Sequence, residues 1–266
     1  MPQQIPSYRL KIERAKRHVS ELAGEVQLFL ATEPYEIFAD DDKTAGKRHY
    51  KVRIKRDIPN EWSTILGDII HNARAALDLL MVEVVRYCDP GRLSYNNVYF
   101  VIRESKEEFE AALPRRIQGA SAEARRIIEN LKPYRGGDEA FYRLHQLDIL
   151  DKHKAIIPVG AAYQNFAFDP FEPIRQKLPE QFGALPPWFI ALRPADRQYP
   201  LRDGATLLTT GLDYPLDDQT KFTIEVSFGE GQILDGEPLD PALTQICEFV
   251  EKVFDAFETG LPGLRK

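Results

Sequence analysis

The segment at residues 59–87 constrains the fold most, because it has the pattern of one long helix. Apolar residues recur there at spacings of three and four, which places them on a single helical face. They are Trp62, Leu66, Ile69, Ala73, Leu77, Leu80 and Val84. Pro59 suits the first turn, and the run Cys88-Asp89-Pro90-Gly91 ends the helix. A helix of this length needs partners for its apolar face, so the segment predicts a helical core.

The opposite half of this predicted helix carries a polar stripe. Its members are Asp68, His71, Arg74 and Asp78. Apolar residues interrupt the stripe at positions 75, 79 and 82. We therefore expect part of the polar half to pack against a neighbouring helix rather than face water along its whole length.

A second predicted helix, at residues 137–152, places acidic residues among leucines. Its inward side is marked by Phe141, Leu144, Leu147 and Leu150. Asp148 and Asp151 fall on or beside that same side. A buried carboxylate is costly unless it meets a cation or several hydrogen-bond donors. We therefore predict a salt bridge from Arg74 to Asp148 or Asp151, with His71 and Lys152 as further partners.

Three interpretations of this polar cluster stay open. The first is a structural network that ties helices together. The second is a divalent metal site, although the chain has no HExxH or ExxH pattern. Its candidate ligands are Asp68, His71, Asp148, Asp151 and His153. The third is acid–base cleavage of a phosphodiester, with His71 or His153 carrying the proton and Arg74 on the phosphate. The candidate catalytic residues are then His71, Arg74, Asp78, Asp148, Asp151 and His153.

The remaining segments predict an α+β fold. Residues 1–163 form a mainly helical part with a β-hairpin at about 35–56 and a short strand at 98–103. Residues 164–187 contain repeated prolines and are expected to be an irregular excursion. Residues 188–266 are expected to hold antiparallel strands and a C-terminal amphipathic helix that Asp240 and Pro241 cap. We expect this last part to pack with the first as one unit.

Charge is unevenly distributed along the chain. The net charge is −6, but residues 1–56 hold 12 Lys and Arg against 8 Asp and Glu. A nucleic-acid partner therefore rests on the basic residues of this part alone. They are Arg14, Lys16, Arg17, Lys51, Arg53 and Lys55. The alternative, which we favour, is that solvated basic and acidic faces meet each other, with lysines protecting the outer side of the returning strand.

Compartment and cofactors follow from what the sequence omits. No run of about 18 apolar residues predicts a membrane span. The first residues lack the basic and apolar regions of a secretory signal, so we expect a soluble cytoplasmic protein whose Cys88 and Cys247 are reduced. Dinucleotide and P-loop signatures are absent, so no organic cofactor is predicted. A divalent metal is the alternative.

Two segments resemble a known family. They are LGDIIHNARAALDLL at residues 66–80 and LDILDKHK at residues 147–154. They resemble a family of uncharacterised bacterial proteins with a GD-x-x-HN-x-R-x-A-L-D helix and a later I-D-K-H segment. The resemblance covers about the first two thirds of the chain and implies a bacterial protein. That family has no established function, so no activity follows from it.

The long helix also invites comparison with HEPN-type ribonucleases, in which an Arg is followed after four to six residues by a His. Here Leu79 lies five residues after Arg74, and no later position in that window is His. The sequence therefore predicts a binding or interaction protein with a structural ion-pair network. The alternative is a phosphodiester hydrolase, either HEPN-like or a metal-assisted ribonuclease.

Overall fold

The chain has an α+β fold in the computed structural model, which describes residues 5–168, 190–192, 198–212 and 220–264. The helices are α1 (Ser7–Ala31), α2 (Glu61–Cys88), α3 (Lys106–Arg116), α4 (Ala122–Leu131), α5 (Glu139–His153) and α6 (Leu239–Gly260). The strands are β1 (Tyr35–Asp42), β2 (Lys47–Ile54), β3 (Pro158–Phe168), β4 (Ile190–Leu192), β5 (Thr206–Gly211) and β6 (Thr220–Phe228). The predicted helical N-terminal half, hairpin and C-terminal helix are confirmed.

Helix α2 is the centre of the core, as its apolar periodicity predicts. Its whole predicted apolar face is buried, and Ile70, Met81 and Val85 beside that face are buried too. Helices α1, α5 and α6 pack around it. Since each large apolar side chain removed from water contributes about 1.5–3 kcal/mol, this helix supplies much of the burial that stabilises the fold.

Aromatic contacts join the two ends of the chain and fix α5 in place. The ring of Tyr8 on α1 packs edge-on against Phe254 of α6, with centroids 4.8 Å apart. On α5, Phe141 stacks on Phe100 at 5.2 Å and meets Phe249 of α6 edge-on at 4.6 Å. The position of α5, and hence of Asp148, is therefore set by both α6 and the segment that follows α2.

The described strands form two antiparallel three-stranded sheets, with orders β1-β2-β5 and β4-β3-β6. The hairpin pairs Tyr35 with Ile54 at one end and Asp42 with Lys47 at the other. The predicted antiparallel strands after the Pro-rich region are thus divided between two sheets. Strand β5 joins the N-terminal hairpin through β2, which links the first and last parts of the chain.

The strand predicted at residues 98–103 is wrong. Val98, Phe100, Val101 and Ile102 are buried, which explains the apolar pattern, but the segment makes only an isolated bridge from Arg103 to Tyr134. The backbone N–H and C=O of Phe100 are bound by side chains of α2 instead of a neighbouring strand. The apolar pattern of this segment reflects its burial and not the pairing of a strand.

Several predicted boundaries differ from the structure. Helix α3 continues through Pro114 to Arg116, since a proline in the last turn costs only one helical hydrogen bond. Helix α6 begins at Leu239, because the carbonyl of Pro238 accepts its first bond, so the predicted Asp240 cap is wrong. Strand β3 runs to Phe168, so an irregular excursion does not begin at 164. The rest of the predicted Pro-rich stretch, 169–187, lies outside the described residues.

Two further observations concern the predicted absence of a membrane span and the predicted reduced cysteines. Within the described ranges, no helix is both long enough and apolar enough to cross a membrane. Cys88 and Cys247 are free thiols, and Cys247 is buried as its place on the apolar stripe of α6 predicts. Burial raises the pKa of the Cys247 thiol to about 12, so it is an unreactive core residue.

Candidate functional site

The carboxylate of Asp148 lies between α5 and α2 and is bound on both oxygens. Its side chain is 4% exposed. His71 Nδ1 lies 3.1 Å from Oδ1, and Lys152 Nζ lies 2.5 Å from Oδ2. Lys152 follows Asp148 by four residues, which places both on one face of α5. The burial of Asp148 and its pairing with His71 and Lys152 agree with the prediction.

The two partners of Asp148 are much more exposed than the carboxylate. The side chains of His71 and Lys152 are each 53% exposed. A buried carboxylate therefore lies beneath two half-exposed side chains, the imidazole of His71 and the ammonium group of Lys152. This geometry satisfies the charge that α5 buries, and it leaves one side of both partners accessible to a ligand.

The bond from His71 to Asp148 orients the imidazole. Because an ionised carboxylate only accepts hydrogen bonds, Nδ1 carries the proton in this contact. In the neutral ring, Nε2 is then the acceptor. This is the arrangement in which a carboxylate fixes the tautomer of a histidine that transfers protons. It is equally a simple way to satisfy a buried carboxylate.

Arg74 belongs to a separate group, and the predicted salt bridge to Asp148 or Asp151 is wrong. Its Nη1 donates to Asp78 Oδ1 at 2.6 Å, and its Nη2 donates to the carbonyl of Phe100 at 2.9 Å. The same Asp78 oxygen accepts from the Phe100 N–H at 3.0 Å. In the described part of the chain, no ion pair joins Arg74 to either α5 carboxylate. The backbone of Phe100 has no neighbouring strand to pair with among the described residues, and its carbonyl binds the Arg74 guanidinium instead.

Asp151 lies against the backbone of α2 at Gly67. A Cβ added at Gly67 would be 2.2 Å from Asp151 Oδ1, so any other residue there would displace this carboxylate. Burial raises the pKa of Asp151, and the charges of Asp148 and Asp68 raise it further. Asp68 itself is exposed, and its carbonyl accepts from the Asn72 side chain.

His145 is a further member of this region that is not among the candidate residues predicted from the sequence. Its Nδ1 is buried and has no hydrogen-bond partner among the described residues. Burial lowers the pKa of His145 to about 4, and the charge of Arg74 lowers it too. The burial of His145 could have been predicted from the sequence, because it precedes Asp148 by three residues and so shares the inward face of α5.

His153, the other candidate proton carrier, is the last residue of α5 and is exposed. The contacts that unite His71, Asp148 and Lys152 do not include it. It lies with Lys152 in the last turn of the helix, where basic side chains interact favourably with the helix dipole. Its position fits the structural interpretation of this residue.

The candidate metal ligands do not form a ligand set. In the ranges that the structure describes, no group of three or more His, Cys, Asp or Glu side chains is arranged to hold a metal ion. Of the proposed ligands, His71 and Asp148 are bonded to each other through Nδ1 and Oδ1.

Most of the basic residues suggested as nucleic-acid contacts are ion-paired. Lys16 binds Glu251 of α6 at 3.0 Å. On β2, Lys51 binds Asp40 at 2.6 Å, while Arg53 and Lys55 lie 3.4 and 3.8 Å from Glu36. Arg14 and Arg17 are exposed on α1. Acidic side chains of β1 and α6 thus compensate the basic charge that the sequence concentrates near its beginning.

Comparison with protein-family models, curated proteins and solved structures found no match. The resemblance to the family with the GD-x-x-HN-x-R-x-A-L-D helix therefore stays a prediction. The roles of His71, Arg74 and Asp148 have to be argued from their geometry alone.

Proposed function

We propose that this chain is a binding or interaction protein in which the polar groups between α2 and α5 are a structural ion-pair network. One observation carries this proposal: the charged groups that could do chemistry are engaged within the chain. Both oxygens of Asp148 have hydrogen-bond partners, and both terminal nitrogens of Arg74 are bonded to Asp78 and Phe100. Such bonds offset the cost of removing charges from water.

The structural role of Arg74 is tested by its removal. Arg74→Ala leaves the Asp78 carboxylate and the Phe100 carbonyl without their partner, so we expect a loss of about 2–3 kcal/mol in the free energy of unfolding. Arg125 is the matched control, because it also pairs with an acid four residues on, at 2.8 Å, but at an exposed site. Arg125→Ala should cost less than about 0.5 kcal/mol. Equal losses in urea denaturation would contradict the structural role.

A second candidate function is hydrolysis of a phosphodiester. The observation that favours it is the exposed imidazole of His71 held through Nδ1 by the buried Asp148. Nε2 would then transfer the proton, Asp148 would hold the tautomer, and Lys152 would face the phosphate. Arg74 does not suit the phosphate-binding role, because it is 7% exposed and fully engaged. The metal-assisted form draws no support from the described residues.

Turnover separates these two functions. The full chain is assayed for hydrolysis of RNA and of a chromogenic phosphodiester, alongside the variants His71→Ala and His153→Ala. His153 is the control, because it is an exposed histidine near the same helix end that lacks the bond to Asp148. Hydrolysis that His71→Ala abolishes and His153→Ala retains would replace the binding proposal by the hydrolase. We expect no turnover by any of the three proteins.

A further inference from the structure

Arginine side chains lie on tyrosine rings where α2 connects to α3. The guanidinium of Arg92 lies 5.9 Å from the Tyr95 ring centroid, and that of Arg116 lies 4.5 Å from the Tyr99 centroid. Arg103 Nη2 donates to the Tyr99 hydroxyl at 3.1 Å. We call these five residues the arginine–tyrosine surface. Packing on a ring orders a guanidinium while leaving N–H groups at its edge available to a partner.

The arginines of this surface keep their positive charge uncompensated. Within the described ranges, none of the three forms an ion pair, and their hydrogen-bond acceptors are uncharged. These acceptors are the carbonyls of Ser94, Ile102 and Gln118, the Tyr99 hydroxyl and the Asn97 side chain. A cluster of unpaired arginines on a protein of net charge −6 is a local attraction for anions.

Arg53 on β2 shows how the same packing looks when the charge is compensated. Its guanidinium lies 4.6 Å from the Phe38 centroid, comparable with Arg116 on Tyr99. Unlike Arg116, it also lies 3.4 Å from a carboxylate, that of Glu36. Arg86 also lies 5.2 Å from the Tyr95 centroid, but it is paired with Glu83. Stacking on a ring is thus common to all these arginines, and the missing carboxylate is what distinguishes Arg92 and Arg116.

The surface is accessible to a partner. Tyr95, Tyr99 and the three arginines are half-buried, which anchors them, while Asn96 and Asn97 between the tyrosines are exposed. Leu93, which follows Arg92, is fully exposed at 100%. A partner would therefore meet guanidinium edges, aromatic rings, amide groups and one apolar side chain.

We propose that the arginine–tyrosine surface binds single-stranded nucleic acid. Guanidinium edges bind phosphate oxygens, and unpaired bases stack on aromatic rings and guanidinium planes. An acidic peptide would be attracted by the positive charge, but its carboxylates would not stack on the tyrosine rings or the guanidinium planes. This inference rests on the proposal that the chain is a binding protein, and it names a partner at a surface distinct from the α2–α5 network.

The test measures fluorescence anisotropy of a labelled oligouridylate of about twelve nucleotides with the full chain. Binding should weaken between roughly 50 and 200 mM salt, and Arg103→Ala or Arg116→Ala should each lower the slope of log K against log salt by about 0.7. The double variant should bind at least about tenfold more weakly at the lower salt. Arg53→Ala is the matched control and should bind like the wild type.

Three results would overturn this inference. The first is that the wild type does not bind the oligouridylate. The second is that the double variant binds it as tightly as the wild type. The third is that polyglutamate binds the wild type as tightly as the oligouridylate does and loses this binding in the double variant. The last result would leave a binding protein with an acidic partner, so it is distinguishable from failure of the proposed function. Thermal midpoints of the variants within a few degrees of the wild type establish that lost binding is not lost folding.

Discussion

At the scale of single residues, Asp148 and His145 share the inward face of α5 but meet opposite conditions. Asp148 has a hydrogen-bond partner on each oxygen. His145 is kept neutral by burial and by nearby positive charge, chiefly that of Arg74, and its Nδ1 has no partner among the described residues. The carboxylate of Asp148 is therefore satisfied by its partners, whereas protonation of His145 would destabilise the fold.

His145 predicts how stability changes with pH. Its pKa is about 4 when folded and about 6.5 when unfolded, so the unfolded state binds a proton first as the pH falls. The stability that neutral His145 contributes is therefore complete above about pH 6.5 and is lost as the pH falls toward 4. After allowance for partial exposure, we expect the wild type to lose about 1 kcal/mol more than His145→Gln between pH 7 and pH 5. Urea denaturation at both pH values measures this, and parallel losses would contradict it.

At the scale of elements, the helices were predictable because their signal is local. Periodicity in the sequence located α2 and α5 to within a few residues. Sheet partners were not predictable, because pairing of β5 with β2 joins residues 47–51 to 206–211 and leaves no mark in either segment. The partner of Arg74 was missed for a related reason. Its position on α2 indicated a buried cation, but not that the Phe100 backbone lacks a strand neighbour.

The crossing of α2 and α5 at Gly67 gives a prediction about helix contact. Gly67→Ala forces the Asp151 carboxylate to move, because the added Cβ would lie 2.2 Å from its oxygen. Without that carboxylate, alanine should stabilise α2 by about 1 kcal/mol through its higher helix propensity. We therefore expect Gly67→Ala to destabilise the wild type and to stabilise an Asp151→Ala background. A double-mutant cycle in chemical denaturation measures this coupling, and additive effects would show that the contact is not tight.

At the scale of the whole molecule, contacts of the sheet and of the helices join the first and last parts of the chain. Strand β5 pairs with β2, and α6 packs against α1 with Arg9 bound to Glu258 at 2.6 Å. Burial raises the pKa of the neighbouring Tyr8 to about 12, as does its hydrogen bond to the same carboxylate. Elements far apart in sequence thus share one principal core.

This sharing predicts cooperative unfolding. Far-ultraviolet circular dichroism and tryptophan fluorescence should give the same midpoint in urea, because the ring of Trp62 is buried in the core that α1, α2 and α6 form. Val52→Ala, in the smaller cluster beside β2, should shift both curves together by a loss of about 1–2 kcal/mol. Two separated transitions would instead support independent domains.

The Arg74–Asp78 pair has a consequence for how freely this chain can change. Arg74 donates to the carbonyl of residue 100, and Asp78 accepts from its N–H, so the pair binds the backbone of this residue and not its side chain. Any amino acid except proline offers the N–H that Asp78 requires, whereas burial in the core and the stack on Phe141 are what favour an aromatic side chain there. The pair also fixes where the connection from α2 ends. An insertion at the fully exposed Leu93 should therefore lengthen this connection at a small entropic cost, while the anchor at residue 100 stays in place.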